Sequence, residues 1–291
     1  AMALNKFIEL KFRIDYLFMK SILRKAFPFG LAFVFGSIYF YIGSVMLSKI
    51  KGDAEVAVYS AAYNIALAVL FIPTVYTNAI YPVLSRYYKE SKAELRILYE
   101  KSFKYLYMIG LPVSVGLYLL ADRIIYLLYG ASYSSSVIAL QIIAWYLFIK
   151  FINFLFGIVL SSTNHQNKRM IGQGVTAGFN VLLSLLLIPY FGYIGAAWST
   201  FITEIFLFLL YYYYVSKSLY FYNFSGILIK PIIASLAMFL FIRTSNFGLI
   251  SSIILSAMVY FALLFALKSL DKEDYGIIKS IFKNEDLQKN L

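Results

Sequence analysis

Two ionisable side chains sit among residues that are almost all apolar. Lys150 lies within AWYLFIKFINFL (144–155) and Glu204 within STFITEIFLFLL (199–210). In such surroundings an ammonium can hold an anion such as a phosphate, a carboxylate can hold a cation or a proton, and the two can neutralise each other. Other chemistry has little to work with. The chain has no cysteine and a single histidine, His165, set in the polar run NHQNKR. Thiol chemistry, Cys-ligated metals and a His-built zinc site are therefore excluded. No Walker motif or glycine-rich phosphate loop is present, so neither ATP hydrolysis nor a bound cofactor is expected.

The elements that must position these two groups follow from composition. Of 291 residues, 62% are hydrophobic and 14% are charged, whereas soluble domains carry roughly 45–50% apolar and about 25% charged residues. Departure in both directions predicts an all-α, polytopic membrane helix bundle. Crossing the hydrocarbon takes about 20 largely apolar residues. Eight spans meet that requirement: 27–49, 57–85, 102–120, 136–160, 168–188, 193–215, 227–243 and 248–267. The second holds Pro73 and Pro82 and is expected to kink. Glu204 and Lys150 then lie roughly 16 and 21 Å below the same ends of their spans at 1.5 Å per residue. A lysine stem covers that difference, but not the longer way out to water.

Basic residues orient the bundle, because Lys and Arg are retained on the cytoplasmic side. Lys49, Lys51, Arg123 and Arg243 flank one face, Lys150 is intramembrane, and the rest of the 26 Lys and Arg gather on the other face with both termini. Both termini are thus expected in the cytoplasm of a multi-pass cell-membrane protein. The formal charge of +12 meets anionic headgroups in this arrangement, and nucleic acid is not an expected partner. Residues 8–16, IELKFRIDY, alternate as an extended segment. Asp15 can cap a short surface helix that ends where Pro28 opens the first span, and Asp271 can cap an amphipathic tail. The loops on the sparsely charged face are short and bring no acid, base and metal ligand together, so no catalytic residue is assigned and no enzyme is expected.

Three stretches carry a family resemblance: GDAEVAVYSAAYNIALAVLFIPTVYTNAIYPVLSRYY (52–88), IIYLLYGASYSSS (124–136) and NVLLSLLLIPYFGYIGAAWSTFITE (180–204). In order and spacing they resemble the second half of the Wzx-type polysaccharide-biosynthesis flippases, in the multidrug/oligosaccharidyl-lipid/polysaccharide exporter superfamily. The IP-x-x-G-x-x-GAA turn is the most specific of these signals. It also has a physical reading. Pro189 ends a helix, Gly192 and Gly195 permit a tight reversal, and Ala196 and Ala197 allow close helix approach.

The resemblance implies two lobes of helices around a central cavity, of which this chain supplies one. Residues 1–26 would be the cytoplasmic inter-lobe segment with its amphipathic helix, 27–217 a six-helix C-lobe, 218–268 two additional transmembrane helices and 269–291 a cytoplasmic amphipathic tail. Its implied function is translocation of a lipid-linked oligosaccharide to the outer leaflet. The implied partners are that substrate, membrane lipids and an N-terminal lobe from the same or a separate chain. Asn64 stands where the resembling family often has a cavity arginine, so it is a transport candidate beside Lys150 and Glu204, or else an interhelical hydrogen-bonding group. Lacking that arginine, the chain has Lys150 as its remaining cation for a lipid phosphate, unless Lys150 pairs with Glu204. Asn78, Asn153 and Asn180 are expected to bind helices together, and His165 to be solvated. A cation-coupled multidrug antiporter and a non-transporting scaffold for glycan-synthesis enzymes are the alternatives. The antiporter would need cavity carboxylates, of which these spans offer only Glu204.

Overall fold

A computed structural model of the chain describes residues 15–219, 225–245, 247–269 and 274. They form nine α-helices, and the multi-pass bundle expected from composition is what is observed. The extended segment, as far as residue 14, and the tail cap Asp271 lie outside the described residues.

The Asp15 carboxylate accepts from Phe18 N–H at 3.0 Å and starts α1, Tyr16–Lys51. Here the expected separation of a surface helix from the first span does not hold, because α1 runs unbroken through Pro28. A proline inside a helix removes one backbone bond, a loss that membrane helices tolerate through local adjustment. At 36 residues α1 is about 54 Å long, well beyond a hydrocarbon core of about 30 Å.

Next come α2 (Asp53–Val69) and α3 (Phe71–Glu90), separated at Leu70. Pro73 has no N–H for the Val69 carbonyl, so the ladder lapses there. Pro82 lies within α3 without ending it.

The third span begins ten residues earlier than its apolar pattern suggests, because α4 is Lys92–Leu119 with Ser91 Oγ accepting from Glu94 N–H. Leu95, Tyr99 and Phe103 continue its buried face into the charged stretch. A bend of 71° leads into α5 (Ala121–Tyr129), which lays Ile125 inward and Tyr126, Leu127 and Leu128 outward. Then follow α6 (Ser136–Ser162), α7 (Gln166–Ser218), α8 (Ser225–Thr244) and α9 (Leu249–Ala266).

Within α7, Gly192 adopts the non-helical φ 55°, ψ −132° and reverses the chain, so α7 is two helices in succession. Its two arms, α7a (166–191) and α7b (193–218), are antiparallel. Asn180 Nδ2 of one donates to Thr203 Oγ1 of the other at 3.0 Å, and Gln173 Nε2 to Tyr211 Oη at 3.0 Å. Lys168 closes the far end on Ser218. Six of the helical stretches are long and apolar enough to cross a membrane, and α4 with α5 makes a seventh. The reversal divides α7 into two passes, which brings the number to the expected eight.

At the centre, α6 packs on α2, α3, α4 and α7, while α1 packs on α7. Its residues Leu140, Ile143, Leu147, Phe151 and Leu155 have no exposed surface. An all-round apolar helix belongs in such a place. The α8–α9 pair leans on α4, where Tyr260 donates to the Met108 carbonyl at 2.7 Å. Phe33, Leu182, Leu186, Leu236 and Ile250 are exposed on the outside, as lipid contact requires. The end of the bundle holding the α3–α4 and α6–α7 junctions carries Arg86, Lys89, Lys92, Arg96 and Lys168, and is the basic end of the molecule. There, buried Asp274 receives Lys104 Nζ at 2.6 Å, Lys101 Nζ at 3.2 Å and Tyr105 Oη at 2.6 Å.

Candidate functional site

Lys150 and Glu204 meet. Lys150 projects from the middle of α6 and Glu204 from the middle of α7b, with Nζ 3.1 Å from Oε2. The same Oε2 accepts from Tyr39 Oη of α1 at 2.7 Å, while Asn153, three residues after Lys150, donates to Oε1 at 2.7 Å and to the Glu204 carbonyl at 3.0 Å. Glu204 has no exposed surface, and its carboxylate receives an ammonium, a phenol and an amide from two other helices. This is the arrangement a buried carboxylate requires if it is to stay charged in a bundle. The ammonium also lies 5.1 Å from the Tyr39 ring centroid and 5.7 Å from that of Tyr146, within cation–π range.

The pair has a polar neighbourhood toward the sparsely charged end. Tyr59 Oη lies 3.0 Å from Thr200 Oγ1, one turn before Glu204, and Tyr63 Oη 3.3 Å from Tyr146 Oη, one turn before Lys150. Tyr59 and Tyr63 stack with centroids 5.5 Å apart. Buried phenols of this kind satisfy their hydroxyls on one another while their rings fill the core.

Toward the basic end the pair opens into a cavity of about 520 Å³ between α1, α3, α6 and α7. Lys150, with 17% of its side chain exposed, forms part of the wall, together with Asn153, Asn78, Ser37, Tyr39 and Tyr211. Arg169 and Gln173, one turn apart on α7a, also belong to the polar wall. Distance from its span end assigns Arg169 to the headgroup region, whereas its side chain turns back along α6 to donate to Ser161 at 2.7 Å. The sequence signal for it is the i, i+4 spacing of Arg169 and Gln173, which sets both on one helix face.

The other sequence candidates lie elsewhere. Asn64 is exposed and has no hydrogen-bond partner among the described residues, so it is not part of the Lys150–Glu204 network. Asn153 and Asn180 bond between passes as expected, but Asn78 is exposed and lines the cavity. His165 is half-buried rather than solvated, in the α6–α7 turn with Nδ1 3.1 Å from Thr163 Oγ1. Burial and then the Lys168 charge depress its pKa below the usual histidine value.

A cavity with a charged wall thus lies inside an apolar helical bundle, and comparison with known proteins places that bundle among others. Residues 2–138 match the family described as polysaccharide biosynthesis protein. The chain is 27% identical over 285 residues to an uncharacterized membrane protein of Methanocaldococcus jannaschii, covering 92% of this chain and 55% of that one. It is 32% identical over 164 residues to a putative O-antigen transporter of Escherichia coli K12, covering 55% of this chain and 39% of that one. In fold it resembles the lipid II flippase MurJ in an inward closed conformation, with TM-score 0.69, 17% identity, and coverage of 89% of this chain and 57% of that one. The chain spans about half the length of these proteins or less.

Proposed function

We propose that this chain is one lobe of a flippase that carries a lipid-linked oligosaccharide across the membrane, corresponding to the C-terminal half of its longer relatives. The observation carrying this reading is the cavity. Its polar wall gives a sugar and phosphate headgroup a route that hydrocarbon denies, while the lipid tail stays in the bilayer. A second lobe, ahead of residue 1 or on another chain, supplies the facing wall, and rocking of the lobes gives alternating access. With an inside-negative potential, each negative charge moved outward gains about 2.3 kcal/mol per 100 mV, so no ATP site is needed. Glu204 argues against a cation antiporter, because its carboxylate is already held by Lys150, Tyr39 and Asn153. Reconstituted in vesicles, the full-length protein should move a fluorescent lipid-linked sugar between leaflets. Efflux of ethidium without lipid movement would replace this reading with the antiporter, and neither activity would leave a scaffold.

Direction depends on orientation, and the charge asymmetry supports a cytoplasmic basic end. Cysteines introduced at Lys51 and Ser134 should react with an impermeant thiol reagent added to intact cells. Those at Ala93 and Asn167 should react only after permeabilisation. The reverse pattern would invert the bundle and the direction of transport.

A further inference from the structure

We propose that Arg169 forms a phosphate-binding subsite at the basic end of the cavity, and that the substrate's phosphate is held by this guanidinium rather than by Lys150. The proposal rests on the flippase reading only for the source of the phosphate, since the subsite itself follows from how the two cations are partnered.

The cavity wall holds two cations, Lys150 and Arg169, and the one carboxylate near it, Glu204, is buried behind Lys150. Lys150 has its counter-charge 3.1 Å away in Glu204. Arg169 has no carboxylate partner among the described residues. Its Nη1 donates to the Ser161 hydroxyl, and its Nε is buried with no hydrogen-bond partner. An intramembrane guanidinium with a neutral neighbour and an idle donor is costly, and such groups are characteristic of substrate pathways. One positive charge is left over in the cavity, and it sits on Arg169.

The space around the group suits an anion with a sugar behind it. Gly157 of α6 faces the guanidinium, where an added Cβ would lie 3.5 Å from Arg169 Nε. Gly36 of α1 faces Gln173, where an added Cβ would lie 3.6 Å from Oε1. Gln173 spends its amide N–H on Tyr211, which leaves Oε1 buried without a donor, and Asn153 Oδ1 is in the same state. The cavity thus offers a planar cation for phosphate oxygens and two amide oxygens that lack donors, a role sugar hydroxyls can fill. Along α6, Gly157 beside Arg169 and Lys150 are seven residues apart, about 10 Å. That distance leaves room for the phosphate at Arg169 without breaking the Lys150–Glu204 bond.

The test measures binding, so that it stands apart from transport. Full-length protein in lipid nanodiscs is titrated with a polyprenyl phosphate, the matching uncharged polyprenol and inorganic phosphate. Losing a charge-assisted bidentate contact in Arg169→Gln should weaken polyprenyl phosphate binding by about tenfold or more. Binding of the uncharged polyprenol should not change, and Arg169→Lys should recover part of the loss. Inorganic phosphate that binds as tightly as the lipid, through Arg169, supports the subsite and assigns free anion as its source. Unchanged polyprenyl phosphate binding in Arg169→Gln overturns the subsite, as does an equal loss for phosphate and polyprenol. A protein whose Arg169-dependent binding survives but which moves no lipid overturns the flippase reading alone.

Discussion

Replacing Glu204 by alanine is expected to cost about 3–5 kcal/mol of stability, and combining Glu204→Gln with Lys150→Met to recover most of it. The single change strands three donors. The Lys150 ammonium loses its counter-charge, and the Tyr39 hydroxyl and the Asn153 amide lose the acceptors they now reach at 2.7 Å. Lys150→Met alone removes the charge that balances a fully buried carboxylate, leaving only the phenol and the amide beside it. In the double variant the glutamine oxygen can still accept from Tyr39 or Asn153, and methionine fills the lysine's apolar path without a charge. Thermal unfolding of the purified variants in detergent measures the first part. Lipid movement by the reconstituted double variant measures the second, and it should return with stability if the pair is structural. A double variant that is stable but inactive would make Lys150 a substrate ligand. Full stability and activity in Lys150→Met alone would make the lysine a passenger.

The Lys150–Glu204 pairing is legible in the amino-acid sequence because its terms are one-dimensional. Depth within a span follows from residue count, and two opposite charges at similar depth in an apolar medium have few other partners. The hairpin at Pro189–Gly195 is legible for a similar reason, since a proline and two glycines between apolar runs leave the backbone little choice. Azimuth is harder. Asn64 and Asn78 lie fourteen residues apart on α2 and α3, yet the break at Leu70 decides which way each faces. Arg169 escapes a count of depths because its Cα is near the basic end, where an arginine ordinarily turns to headgroups. Its side chain instead follows α6 inward, over the gap that Gly157 leaves. The length of α1 is also hidden, because a proline near the start of a membrane helix permits a break and does not enforce one.

These placements bear on how the two cations divide their work. A charge already paired with a buried carboxylate can bind an anion only by giving up the pair, at the cost of leaving Glu204 uncompensated. Arg169 gives up neutral hydroxyls, Ser161 and the neighbouring Tyr211, and no carboxylate among the described residues. A phosphate held at Arg169 would also set its headgroup beside the surface that bears most of the positive charge, so the field that would gather anionic lipid would lead into the cavity.

The largest backbone effect is expected at Gly195. An alanine Cβ there would lie 2.4 Å from the Leu187 carbonyl oxygen and 2.7 Å from its carbon, on the opposing arm of the hairpin. Backbone cannot swing aside as a side chain can, so α7a and α7b must separate, at a cost of about 4 kcal/mol or more. Separation also pulls Asn180 from Thr203 and Gln173 from Tyr211, and it shifts Glu204 against α6. Gly192→Ala meets a different obstacle. Its φ of 55° strains any L side chain, but the atom in its way is Glu55 Oε2, the end of a side chain that can withdraw from Tyr193 N–H. That change should cost about 1–3 kcal/mol. Gly178→Ala, on α7a with nothing within 4 Å of its Cβ, should be neutral or stabilising by up to about 1 kcal/mol. Unfolding midpoints should therefore fall in the order Gly178→Ala, Gly192→Ala, Gly195→Ala, and lipid movement should be lost first in the last of these. A Gly195→Ala protein that melts with the wild type would mean that the two arms do not close as tightly as this reversal requires.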